Sequence, residues 1–133
     1  MPVLIDTNIL LYAVAADADR RHQQTAIQAL RDHRADGALA VQVLAEFANV
    51  LIRKHWPVET VRSDVRILEK TWQIVAPNAS TASLAVAGVK EHQMSFWDAM
   101  LWATAKQHGL TTILSEDGPT GSTVGEVLYL SPF

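Results

Sequence analysis

Val3-Leu4-Ile5-Asp6-Thr7-Asn8, followed at once by Ile9-Leu10-Leu11-Tyr12-Ala13, is the stretch whose reading decides the fold. A short apolar, β-branched run ends on a carboxylate, a hydroxyl and an amide, and a helix-like apolar segment begins directly after it. A strand passing this abruptly into a helix is the opening of a β-α unit in an open α/β sheet. In such sheets ligands bind beyond the carboxyl ends of the strands. Asp6 is therefore a candidate metal or phosphate contact, and the rest of the chain must supply its partners.

Composition narrows the possibilities. The 133 residues suffice for one domain spanning 1–133 with a substantial core, and at 49% apolar and 19% charged residues the chain reads as soluble and globular. Cysteine is absent, which excludes disulfides, thiolate metal sites and thiol nucleophiles. The N-terminus lacks a basic segment followed by a long apolar one, and no run approaches the ~20 apolar residues of a membrane span. A cytoplasmic protein is the expectation. The net charge is −3. Binding nucleic acid by phosphate neutralisation alone goes with a basic excess. Handling RNA or DNA here requires a metal ion, local Arg and Lys, or a partner.

Outward from the opening run, short apolar strands alternate with helices. Strands are expected at residues 2–6, 38–41, 73–76, 111–114 and 127–130. Helices are expected at 7–15, 19–34, 42–55, 58–70, 80–92 and 95–108. Thr7 or Asn8 is the expected N-cap of the first helix. Trp56-Pro57 stops the third, and Gly109 closes the last in the C′ position. Residues 118–125 read as a flexible loop. The alternation predicts an α/β fold, a three-layer α/β/α arrangement around a mostly parallel sheet of four to five short strands.

Three further segments carry acids. In the helix around Val43-Leu44-Ala45-Glu46-Phe47, Glu46 shares a polar stripe with Gln42, Asn49 and Arg53 at helical spacing. Taken alone, that stripe reads first as a solvated face, and second as one that faces a water-filled cleft. Ser95-Phe96-Trp97-Asp98 matches a capping box. The residues three, four and seven beyond Asp98 are Leu101, Trp102 and Ala105, which places its carboxylate at the edge of the core beside a pocket. Thr112-Ile113-Leu114-Ser115-Glu116-Asp117 repeats the logic of the first strand, although Asp117-Gly118 alone is an ordinary turn. Carboxylates converging at strand ends repel without a counter-charge. Their hard oxygens suit Mg²⁺ or Mn²⁺, which can activate water for phosphoryl displacement.

Asp6-Thr7-Asn8, the Glu46 helix, Ser95-Phe96-Trp97-Asp98-Ala99 and Leu114-Ser115-Glu116-Asp117 together resemble the four signature segments of PIN-domain ribonucleases, and among them VapC toxins of type II toxin–antitoxin systems. The resemblance implies a Mg²⁺- or Mn²⁺-dependent endoribonuclease. Asp6, Glu46, Asp98 and Asp117 would be its catalytic and metal-binding acids, supported by Thr7, Asn8, Ser115 and Glu116. Asp117 matches the fourth acid better than Glu116. The resemblance also implies RNA as substrate, a cognate antitoxin as partner and a homodimer. The Gly-rich run after Asp117 departs from the family pattern and leaves open which of Glu116 and Asp117 faces the metal.

Other features weigh less. The 118–125 loop lacks a P-loop lysine and precedes a strand. The five histidines show no metal-ligand spacing and read as surface residues. Trp56, Trp72, Trp97 and Trp102 read as core or subunit contacts before base-stacking platforms, with cleft lining the second reading for Trp97, beside Asp98. Arg20-Arg21 and Arg53-Lys54 read as solvated charge that can meet phosphates. A phosphatase of the haloacid dehalogenase kind would need a second acid at position 8, where Asn8 stands. A receiver-like binding module would want an acid paired with Asp6 and a late lysine, and residues 111–117 contain no lysine.

Overall fold

A computed structural model describes residues 2–133. The elements run β1 (Val3–Ile5), α1 (Thr7–Val14), α2 (Arg20–Asp32), β2 (Gly37–Ala40), α3 (Val41–Arg53), α4 (Val58–Thr71), β3 (Gln73–Val75), α5 (Thr81–His92), α6 (Phe96–Gln107), β4 (Thr112–Leu114), β5 (Thr123–Val124) and β6 (Val127–Leu130). One sheet has the order β3-β2-β1-β4-β6-β5, parallel except where β5 meets β6. Every residue of β1, β2 and β4 is buried, as befits central strands of a parallel sheet covered on both faces.

The winding places the site. From β1 the chain moves through β2 to β3, then crosses back through α5 and α6 to enter β4 on the other side of β1. Parallel crossovers are right-handed, so this reversal sends α5 and α6 to the opposite face from α1–α4. The helix contacts follow suit: α2 packs on α1, α1 on α3 and α3 on α4, while α5 packs on α6. Strand order therefore reverses between β1 and β4, the switch point where a crevice opens beyond the carboxyl ends. Asp6 and Ser115 are the first residues past the ends of these two strands.

Two local expectations are corrected. The N-cap of α1 is neither Thr7 nor Asn8 but Asp6, whose backbone is extended and whose carboxylate accepts from the Thr7 amide. Asp6 continues the ladder, donating its own N–H to Leu114 O at 2.9 Å. Its backbone therefore stays in the β region, and the helix starts one residue earlier than the polar pair suggested. The sheet also has a sixth strand where a flexible loop was expected. Gly125 and Glu126 both adopt positive φ, 47° and 72°, and this two-residue turn folds β5 back on β6 with Val124 opposite Val127. A two-residue strand is too short to show periodicity. It is secured from outside, by the Trp102 indole N–H donating to Val124 O at 2.9 Å.

At the start of β2, Gly37 sits where a methyl group cannot. A Cβ there would lie 2.5 Å from the His33 carbonyl oxygen and 2.7 Å from the Trp72 ring. The carbonyl is backbone, held by the Gly37 N–H at 2.7 Å, and cannot retreat. Gly37→Ala is expected to cost about 1–3 kcal/mol by overpacking, read as a lower denaturant midpoint with an unchanged slope.

Candidate active site

Asp6 is the hub of the crevice. Its Oδ1 accepts from the Thr7 amide at 2.7 Å and its Oδ2 from the Ser115 hydroxyl at 2.8 Å. Burial pushes its carboxyl pKa up. The Ser115 and Thr7 hydrogen bonds oppose that rise, and the nearby Glu46 and Asp98 charges reinforce it.

Each neighbouring acid is aimed by a polar partner. The Thr7 hydroxyl, itself buried, donates to Glu46 at 2.8 Å across 39 residues of sequence. Gln42, one turn earlier on α3, donates from its amide to Glu46 at 3.0 Å and to the Trp97 carbonyl at 3.1 Å. One side chain thus ties the Glu46 carboxylate to the start of α6. Asn49 and Arg53 of the same predicted stripe are exposed. Asp98 opens α6 with its N–H bonded to the Ser95 hydroxyl at 3.3 Å, and Ser95 is the N-cap. Its residue is exposed rather than at the core edge, because Leu101, Trp102 and Ala105 take the buried side of the helix.

The last segment separates its two acids. Ser115 is buried; its hydroxyl accepts from the Asn8 amide at 3.0 Å and from the Asp117 N–H at 3.1 Å while donating to Asp6. Asn8 also reaches Asp117 Oδ2 at 3.4 Å and accepts from the Glu116 N–H at 3.1 Å. Asp117 thereby lines a cavity of about 240 Å³ together with Asp6 and Asp98. Glu116 turns the other way, accepting from the Tyr12 hydroxyl at 3.1 Å with His22 at 3.9 Å. Asn8 serves both branches, so the position where a second phosphatase acid would stand is occupied by a structural clamp.

Tyr129 and His92 also line the cavity, and the linear sequence did not single out either as a site residue. Tyr129 lines it from β6, and burial, then the Asp98 and Asp6 charges, hold its phenol far above the usual range. His92 lines it at the end of α5, edge-on to Trp102 with ring centroids 5.5 Å apart. Alternation along β6, with Val127 and Tyr129 facing inward, is the only sequence trace of the tyrosine.

Among the described residues, none of Asp6, Glu46, Asp98 and Asp117 has a Lys or Arg partner. The donors are carboxylate oxygens, the chemistry that suits a hard divalent cation. No three acids or imidazoles among the described residues close around a single point.

The family model described as PIN domain matches residues 3–118. The chain belongs to the PIN domain family. Solved structures share the fold of this PIN domain over nearly its whole length. A toxin–antitoxin complex from Klebsiella pneumoniae is 23% identical, covers 98% of each chain and has a TM-score of 0.75. VapC20 of Mycobacterium tuberculosis, described as a sarcin–ricin loop cleaving toxin, is 22% identical over 87% of this chain and 90% of its own, with a TM-score of 0.71. VapBC2 from Rickettsia felis, bound to a DNA fragment from its promoter, is 16% identical over 98% of both chains, with a TM-score of 0.72. No curated protein matches the PIN domain. Among its described residues no helix is long and apolar enough to cross a membrane.

Proposed function

We propose that this PIN domain is a metal-dependent endoribonuclease, the toxin of a type II toxin–antitoxin pair that acts in the cytoplasm. The observation that carries the reading is the convergence of Asp6, Asp98 and Asp117 on one cavity at the β1–β4 switch point, with Glu46 beside Asp6 and no Lys or Arg paired with any of them among the described residues. Structures sharing the fold include a toxin–antitoxin complex and an RNA-cleaving toxin, which supports the assignment to RNA and to an antitoxin partner. A homodimer is the assembly proposed.

Asp6, Asp98 and Asp117 would hold Mg²⁺ or Mn²⁺ directly or through water, with Glu46 as a ligand or as the group that orients the attacking water. A bound cation there supplies charge neutralisation for the phosphodiester and acidity for water. The chain's own part is positioning. Thr7 and Gln42 hold the Glu46 carboxylate from two sides, and Ser115 and the Thr7 amide fix both oxygens of Asp6. A water oxygen attacks phosphorus, the P–O3′ bond breaks, and the leaving oxygen takes a proton. The products are a 5′-phosphate and a 3′-hydroxyl.

Incubating the purified chain with total RNA, with Mn²⁺ or with excess EDTA, tests this. Fragments bearing 5′-phosphates are expected with Mn²⁺, and intact RNA with EDTA. Cutting that is indifferent to EDTA, or 2′,3′-cyclic ends, would sink the metal–water route.

A further inference from the structure

Tyr129 differs from the other polar residues of the acidic cavity. It is only 7% exposed, it shares the cavity wall with Asp6, Asp98 and Asp117, and its hydroxyl has no hydrogen-bond partner among the described residues. The ring is packed away while the hydroxyl opens into the cavity, since Thr112 Oγ1 is the only buried side-chain polar atom without a partner among the described residues. An open donor of this kind is available to a ligand there. The ring is also held still. A Cβ on Gly118 would lie 3.1 Å from it, so the glycine loop packs directly against its edge. The backbone of Tyr129 is tied on both sides, its N–H donating to Ser122 O at 3.0 Å and its carbonyl accepting from the Gly121 N–H at 2.7 Å. The Gly-rich run after Asp117 thus has a structural purpose, since it lets the loop close onto this ring.

The charged side chains that converge on the cavity from the ends of β1 and β4 and from α6 are the carboxylates of Asp6, Asp117 and Asp98, and a phosphodiester entering it meets all three. A fixed, neutral O–H donor can direct an anion there without competing with a cation for the carboxylates. We infer that the Tyr129 hydroxyl donates a hydrogen bond to a non-bridging oxygen of the RNA phosphodiester in this cavity. The inference rests on the endoribonuclease reading and adds to it a catalytic residue outside the acidic set. Ring packing and the hydroxyl are separable, because Tyr129→Phe keeps every contact of the ring with Gly118.

The experiment compares wild type and Tyr129→Phe on one short single-stranded RNA with Mn²⁺. The RNA is used in three forms: unmodified, with a single stereodefined phosphorothioate at the cut site, and with 2′-deoxyribose there. Tyr129→Phe is expected to lose about 10- to 100-fold in kcat on unmodified RNA, with an unchanged thermal midpoint. One phosphorothioate isomer should slow the wild type and slow Tyr129→Phe by much less, because sulfur and the variant remove the same hydrogen bond. Equal rates for the two proteins, or thio effects of equal size in both, overturn the inference and leave the nuclease reading intact. A variant effect that vanishes on 2′-deoxyribose instead assigns the donor to the sugar and also overturns it. RNA left uncut by both proteins removes the nuclease reading and this inference together.

Discussion

Asp6→Asn is expected to abolish RNA cleavage and at the same time to stabilise the fold. An amide at position 6 still caps α1 by accepting from the Thr7 N–H, and it can still meet the Ser115 hydroxyl. What it removes is a carboxylate whose charge is disfavoured by burial and by Glu46 and Asp98. Activity should fall on the order of 100-fold or more, since one of the groups that holds the cation is lost. Stability at neutral pH should rise by on the order of 1 kcal/mol, the usual exchange at an active site held in an unfavourable state.

The pH dependence follows from the direction of the shift. Because the folded-state carboxyl binds its proton more tightly than the unfolded one, the wild type's penalty is fully present above the raised pKa. It is relieved as pH falls through that value toward the ordinary carboxyl value of 3.8. The gap in thermal midpoint between Asp6→Asn and wild type should be widest near neutrality and narrow in acid. Added Mg²⁺ should narrow it from the other side, by stabilising wild type alone. A variant that is less stable than wild type at pH 7 would contradict the picture of a strained carboxylate.

Trp102→Ala is expected to give the largest loss of stability in the chain. The indole is 2% exposed, and two glycines are shaped around it. A Cβ on Gly88 would lie 2.8 Å from the ring, and one on Gly125 would lie 2.5 Å away. Truncation opens a cavity that two backbones already approach closely, and it leaves the Val124 carbonyl without the indole N–H. Losses of about 3–5 kcal/mol are usual for such residues. That is a large share of the roughly 5–15 kcal/mol that holds a domain together. Urea unfolding should show the midpoint falling steeply, and Trp102→Phe should recover part of the loss by refilling the cavity without restoring the N–H. A midpoint for Trp102→Ala close to wild type would show that β5 and the glycine loop hold themselves. The effect should reach the site, because the hairpin that Trp102 secures carries Tyr129 in its second strand.

Much of the fold was legible in the linear sequence for a local reason. Buried parallel strands read as short apolar runs, and the helices that cover them carry periodic apolar stripes, so β1, β2, β4 and the six helices announce themselves within a few residues each. Asp6, Glu46 and Asp98 could be singled out in the same way, as acids at the ends or on the faces of those elements. Their partners could not. Thr7 reaches Glu46 across 39 residues, Asn8 reaches Ser115 across 107 and Ser115 reaches Asp6 across 109. Whether Glu116 or Asp117 faces the cavity depends on an Asn8 side chain that pairs with one backbone and the other carboxylate. That decision belongs to the tertiary structure, as do the β5–β6 hairpin, secured by Trp102 of α6, and the Tyr129 hydroxyl, because each is set by contacts between different elements. The sequence determined by itself the layered α/β architecture and three acids at its strand and helix ends. Tertiary packing decided the direction of the fourth, and placed the Tyr129 hydroxyl beside them.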